Sequence, residues 1–176
     1  MDAEPVLTSE RLRLREFRDD DLDVLAAMVG DEEQMTFYPR PKSRDEAAAW
    51  IRLNRELYAT RGFGTWLIEL GPEASFAGYS GIRPLELEQV PELEIGWHVH
   101  KRFWNQGIAT EAASLVCRAA ATHFGLPRLV ALVHPDHLGS RRVAENVGMR
   151  AERTTVLEDD YPAIVYVADL RESPSS

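Results

Sequence analysis

Residues 93–124 contain a change of period that few folds accommodate. Leu93, Ile95, Trp97 and Val99 alternate with Glu94, Gly96, His98 and His100, the two-residue repeat of a strand over 93–100. After a short loop, Ile108, Ala112, Leu115, Val116 and Ala119 recur at helical spacing over 107–124, and Gly125 and Pro127 close that helix. Gly107 and Ala109 are small residues at its opening, so ligand atoms can approach the backbone closely there. The unpaired amides of the first turn point at such a ligand with the helix dipole behind them, which suits a pyrophosphate. Tight packing at a strand-to-helix turn would use the same small residues. Other phosphate loops do not fit, since neither G-x-x-x-x-G-K-[ST] nor G-x-G-x-x-G occurs.

The flanking segments place this unit in a sheet. Residues 11–17 alternate apolar and charged, giving a strand with one buried and one wet face. Asp19, Asp20 and Asp21 mark a helix start, with Leu22, Leu25, Ala26 and Val29 as its stripe and Gly30 as its end. A second helix begins at Ser43, with Glu46 completing a capping box; Ala47, Trp50, Ile51, Asn54 and Tyr58 share a side and Gly62 is the stop. Strands at 64–70 and 76–85 are joined by a hairpin-like turn at 71–75, and the 93–100 strand follows a break at Pro91. Beyond the long helix come a buried strand at 129–133, a helix at 140–147 stopped by Gly148, and a strand pair at 150–157 and 164–170. The order β-α-α-β-β-β-α-β-α-β-β implies an α/β (α+β mixed) domain, a mixed and mostly antiparallel sheet flanked by helices. It is expected to occupy residues 1–172, with 173–176 a disordered tail.

Bulk properties narrow the function. At 176 residues, with no Pro/Gly linker, the chain has the size of one domain. A net charge of −9 argues against affinity built on neutralising phosphates, so nucleic acid is not an expected partner. Cys117 is the sole cysteine, which excludes an intrachain disulfide and fits a reducing cytoplasm. No run of about 18 apolar residues occurs and no leader opens the chain, so neither membrane nor export is expected.

Three segments together resemble the GNAT superfamily of N-acetyltransferases, in particular its RimJ/RimL-like branch. The stretch 93–112, with Glu94-Ile95-Gly96-Trp97 and then Trp104-Asn105-Gln106-Gly107-Ile108-Ala109-Thr110-Glu111-Ala112, looks like that branch's acetyl-CoA motif. Thr8-Ser9-Glu10-Arg11-Leu12-Arg13-Leu14-Arg15 looks like its T-x-R-L-x-L-R opening, and residues 140–149 like its S-x-x-V-x-E-K-x-G-F helix. The resemblance implies transfer of acetyl from acetyl-CoA to an amine acceptor, a small molecule or a protein N-terminus, by direct attack. No metal is implied, and a homodimer is compatible with it.

The resemblance also implies roles. Amides of Trp104, Asn105, Gln106, Gly107, Ile108, Ala109 and Thr110 would hold the coenzyme pyrophosphate. Backbone at Trp97 and Val99 would pair with pantetheine, and an amide there would polarise the thioester carbonyl. His137 stands where the superfamily usually has Asn before the next helix. The tyrosine that many members use to protonate the leaving thiolate would fall near Ala144, so Ser140 is the substitute, beside the sulfur. Attack needs a neutral amine, and a carboxylate or histidine in reach would take its proton. Glu94, His98 and His100 share a strand face. Glu94 is the first choice because the related branch has Glu there; a salt-bridged strand carboxylate is its structural alternative, and His98 and His100 read as ordinary polar residues near the strand end. Phe37, Tyr38 and Tyr161 would line the acceptor mouth, or simply belong to an aromatic-proline loop and an acidic turn.

Two further groups of residues carry no separate chemistry. His98-x-His100 with His134-x-x-His137 lacks an acidic or cysteine partner for a metal site, and Cys117 reads as a small packing residue. The rival from another class is a non-catalytic acyl-CoA-binding module, which the missing tyrosine and His137 make conceivable.

Overall fold

The computed structural model describes residues 6–171. The expected tail at 173–176 lies outside the described residues. The strands are β1 (Leu7–Thr8), β2 (Leu12–Arg15), β3 (Thr65–Leu70), β4 (Ser75–Leu87), β5 (Val90–Val99), β6 (Arg128–Val133), β7 (Arg150–Val156) and β8 (Pro162–Asp169); the helices are α1 (Leu22–Val29), α2 (Arg44–Arg61), α3 (Ile108–Thr122) and α4 (Leu138–Asn146). All eight strands form one sheet in the order β1-β2-β3-β4-β5-β6-β8-β7. Every neighbouring pair is antiparallel except β5 with β6.

That exception shapes the molecule. The parallel pair meets at one paired position, Glu94 with Val130, and no ladder joins the two strands beyond it. The sheet therefore opens between the second halves of β5 and β6. Helices cover both faces: α3 packs Ile108, Ala112, Ala113, Val116 and Ala120 into the main core with Ile95 and Val99, while α1 and α2 close a second core around Phe17, Ile51 and Leu67 on the opposite face.

The expected helix signals operate. Ser43 Oγ accepts from Glu46 N at 3.2 Å and Glu46 Oε2 accepts from Ser43 N at 2.8 Å, closing the capping box, and Gly62 ends α2 in the left-handed region at φ 75. Other expectations are corrected. The alternation of the first strand fails at Arg15, which is 8% exposed instead of wet. Arg15 is drawn inward by a two-pronged pair with Asp21, both bonds 2.8 Å, and by Glu69 at 2.7 Å. Burial opposes ionisation of Asp21, yet its bonds to Arg15 and the Arg18 amide win and hold its carboxyl below the usual range. Pro91 does not break the chain before β5; it lies inside the strand, opposite Glu86. The reversal before it is a two-residue connection, Glu88 at φ 51 and Gln89 at φ 66, a hairpin geometry usually signalled by Asn-Gly. Helix α4 begins at Leu138 instead of Ser140, because the His137 ring caps it by accepting from Ser140 N. Met28, omitted from the α1 stripe, is 1% exposed and belongs to the core.

Candidate active site

A cleft of about 1150 Å³ follows the opening between β5 and β6 and runs on to the start of α3. It is lined by Glu94, Trp97, His98 and Val99 on β5, the run 104–110, His137 and Ser140 at α4, and Phe37, Tyr38 and Tyr161 from loops, whereas His100 lies outside it.

The α3 end is built from backbone. Asn105 at φ 59 and Gly107 at φ 74 both adopt left-handed conformations, and the helix has no side-chain N-cap. Its first amides are thus left for a ligand, which fits an anion such as a pyrophosphate. Ile108 contributes only backbone, since its side chain is 1% exposed in the core. The loop is held from outside the cleft. Arg11 Nη2 donates to Gln106 O at 2.8 Å and Arg11 Nε to Glu111 Oε2 at 2.5 Å, while Ser9 Oγ donates to Glu111 Oε1 at 2.5 Å. The opening segment of the chain and the start of α3 therefore meet in one ion-paired knot.

The middle of the cleft exposes strand backbone. His100 N donates to Ala77 O of β4 at 2.8 Å, so by alternation the peptide groups of Trp97 and Val99 point away from β4, toward the gap. The Val99 carbonyl is capped by Trp104 Nε1 at 2.8 Å and Gln34 Nε2 at 2.9 Å. What remains toward the gap is the Val99 amide and both polar groups of Trp97, a set that fits an amide-bearing chain laid along β5. Ser140 Oγ accepts from Trp97 Nε1 at 3.0 Å, which leaves its own proton to donate. The His137 ring stacks on Phe37 with centroids 4.3 Å apart.

The opposite face of β5 carries the titratable groups. Glu94, 8% exposed, accepts from Arg83 Nε at 2.5 Å across the β4–β5 ladder. The neighbouring carboxylate raises the Arg83 pKa. His98 corrects the reading of an ordinary polar strand-end residue: it is 8% exposed and packed among Gln34, Tyr38 and Tyr79. Gln34, unremarked in the sequence, organises this corner. Its Oε1 accepts from Lys101 N at 2.8 Å, so its amide nitrogen donates to Val99 O and to His98 Nε2, both at 2.9 Å. His98 Nδ1 and the Tyr79 hydroxyl share a hydrogen bond at 3.0 Å, and His98 Nε2 also lies 3.3 Å from the Gln34 carbonyl oxygen. Burial drives the His98 pKa down to about 4, so the ring is neutral at pH 7. His100 instead caps the following turn, accepting from Arg102 N at 3.3 Å.

Among the described residues no group of three or more His, Cys, Asp or Glu side chains is placed to hold a metal ion, and no helix is long and apolar enough to cross a membrane. Cys117 packs against the main core away from the cleft, and burial pushes its thiol up to about 11. Of the acidic stretch 158–161, only Tyr161 reaches the cleft, with its ring 5.4 Å from that of His134.

This architecture recurs in known proteins. The chain is 30% identical over 167 residues to YkkB of Bacillus subtilis (strain 168), covering 94% of this chain and 96% of the relative. An acetyltransferase structure from Agrobacterium tumefaciens str. C58 superposes with a TM-score of 0.82 at 25% identity, covering 96% of each chain. The structure of RimL, a ribosomal L7/L12 alpha-N-protein acetyltransferase in complex with coenzyme A, has the same fold at a TM-score of 0.76 and 20% identity, over 94% of this chain and 98% of that one. The family model of the acetyltransferase (GNAT) domain matches residues 11–150, most of the chain, and the protein accordingly belongs to the GNAT acetyltransferase family.

Proposed function

We propose that this protein transfers the acetyl group of acetyl-CoA directly to a primary amine, carried by a small molecule or a protein N-terminus. The observation that carries this reading is the opening of the sheet beyond Glu94 and Val130, with an uncapped helix start at one end and a carboxylate at the other. The amides that open α3 would hold the pyrophosphate, and the Trp97 and Val99 peptide groups would hold the pantetheine arm. Acetyl-CoA supplies the activated thioester.

The chain's own groups would do the rest. Glu94, directly or through water, takes a proton from the amine, so that nitrogen attacks as a neutral nucleophile. An inward amide of β5 donates to the developing oxyanion. The Ser140 hydroxyl, oriented by Trp97, or a water returns a proton to the leaving thiolate as its carbon–sulfur bond breaks. Neutral His98 holds Tyr79 instead of serving as the base.

An amine panel that includes peptides of varied N-terminus, followed by thiol release, tests the reading. Release that depends on an amine is expected; binding of acetyl-CoA without release would make the protein a binding module. Within that assay Glu94→Gln should lower turnover by about 10²- to 10⁴-fold while acetyl-CoA affinity changes little. The deficit should shrink at high pH, where the acceptor is already neutral. Near-full turnover of the folded variant at neutral pH would remove Glu94 as the base.

A further inference from the structure

The acceptor side of the cleft is more specific than an amine-binding site needs to be. On the face of the sheet turned toward α1 and α2, three cross-strand pairs follow one another: Arg83 with Glu94, Gly81 with Gly96, and Tyr79 with His98. Paired residues of an antiparallel ladder share a face, and four residues of strand span about 13 Å. Gly96 therefore leaves a bare step between an ion pair at one end and an aromatic end at the other, while Gly81 beside it is covered by the backbone of Gly64 and Thr65. The step is open on the β5 side, since a Cβ built on Gly96 would meet no atom within 4 Å. Tyr38, Trp50 and Tyr79 wall the aromatic end, with the Trp50 and Tyr79 rings 4.9 Å apart and the Tyr38 and His98 rings 5.1 Å apart.

The ion pair is half used. The bond from Arg83 Nε to Glu94 Oε2 leaves Glu94 Oε1 and both Nη groups of Arg83 without a hydrogen-bond partner among the described residues. A carboxylate oxygen and a guanidinium fork thus stand side by side in the cleft, complementary to an ammonium and a carboxylate carried on one carbon. The charge around them also matters. The ionisable residues lining the cleft besides histidine and tyrosine are Glu33, Glu46 and Glu94 against Lys42, Arg83 and Arg142, so the net charge of −9 is not concentrated here. Glu33 and Glu46 are already paired with Lys101 and Arg40. A polycationic acceptor would find no surplus of carboxylates.

We infer that the acceptor is a free α-amino acid with an apolar or aromatic side chain. Its carboxylate lies on the Arg83 fork, its amine at Glu94, and its side chain runs over Gly96 toward Tyr38 and Tyr79. The inference rests on the acetyl-transfer reading of the same cleft. The step balances as an acyl transfer: the nitrogen–carbon bond forms, the carbon–sulfur bond breaks, and the amine proton passes to Glu94 while the thiolate leaves.

The test compares kcat/KM for phenylalanine and methionine with their amides, with phenethylamine and with a dipeptide of phenylalanine, all by thiol release. An amino amide is the less basic amine, so intrinsic reactivity at neutral pH favours it, and a preference for the free acid reports carboxylate recognition. The free acids are expected to exceed amides, decarboxylated amine and dipeptide by about tenfold or more. In Arg83→Met the ratio of acid to amide should fall toward one, and Arg83→Lys, which keeps charge without the fork, should lie between. If amides or N-terminal peptides match the acids in the unaltered protein, the amino-acid assignment is overturned while acetyl transfer stands. If no amine releases thiol although acetyl-CoA binds, both readings fall. The comparison among acceptors needs no variant to fold, so it decides the matter even if Arg83→Met is unstable.

Discussion

His98 shows what a single buried ring contributes. Its folded-state pKa of about 4 lies below the 6.5 of an exposed histidine, so between those values the unfolded chain binds a proton that the native state refuses. Stability is thus fully present above about pH 6.5 and lost as the pH falls toward 4. From pH 7.5 to pH 5 the loss from this residue should be about 2 kcal/mol. Urea unfolding of the protein and of His98→Gln at both pH values measures it: the variant should be less stable at pH 7.5 yet lose less on acidification. Parallel losses in the two proteins would mean that His98 is not held neutral. The ring's environment could not be read from the chain, because its partner Gln34 is 64 positions away and nothing local to either residue marks the pair. Glu94 was legible, since strand alternation alone assigns it a face. Arg15 was misjudged for the converse reason: alternation predicted a wet side chain, and the carboxylates that draw it inward come from Asp21 and Glu69 on other elements.

At the scale of elements, the start of α3 depends on its neighbours as much as on its own glycine. A Cβ on Gly107 would point toward Arg11 Nη2, 3.4 Å away, and φ 74 strains any residue with a side chain. Gly107→Val should therefore weaken acetyl-CoA binding at least tenfold, about 1.4 kcal/mol, by disturbing the amides more than by blocking the ligand. Gly107→Asn, tolerated in the left-handed region, should lose less. Arg11→Met cuts the tie to Gln106 O and Glu111 and should weaken binding several-fold with no contact to the coenzyme. Calorimetric titration with acetyl-CoA checks all three, and unchanged affinity in folded Gly107→Val would remove this site. Element ends were legible where the residue chemistry is standard, as at Ser43 with Glu46 or at Gly62. They were not where an unusual residue does the work: His137 caps α4, and Glu88-Gln89 occupies a turn that favours glycine and asparagine.

For the molecule as a whole, the order of elements predicted a mixed sheet, but no local pattern reveals that β8 inserts between β6 and β7, or that β5 and β6 part after one paired position. Those are products of long-range pairing, and they divide the sheet into β1 to β5 and β6 to β7, joined by that position and by helix packing. A ligand lying in the opening bonds to backbone that the protein leaves unpaired, so it should stabilise the junction and not merely its own contacts. At one hundred times its dissociation constant, acetyl-CoA should add about 2.7 kcal/mol, a rise in Tm of roughly 5–10 °C for a domain of this size. The location of the effect separates this account from simple anchoring. If the pantetheine arm bridges the gap, hydrogen exchange should slow at Trp97 and Val99 as well as at the opening of α3, and β6 and β8 should gain protection as their half opens less often. An adenosine 3′,5′-bisphosphate fragment, which has no pantetheine arm, should protect the start of α3 and leave the strands unchanged. Equal strand protection by fragment and coenzyme would mean that the opening between β5 and β6 is not where the arm lies.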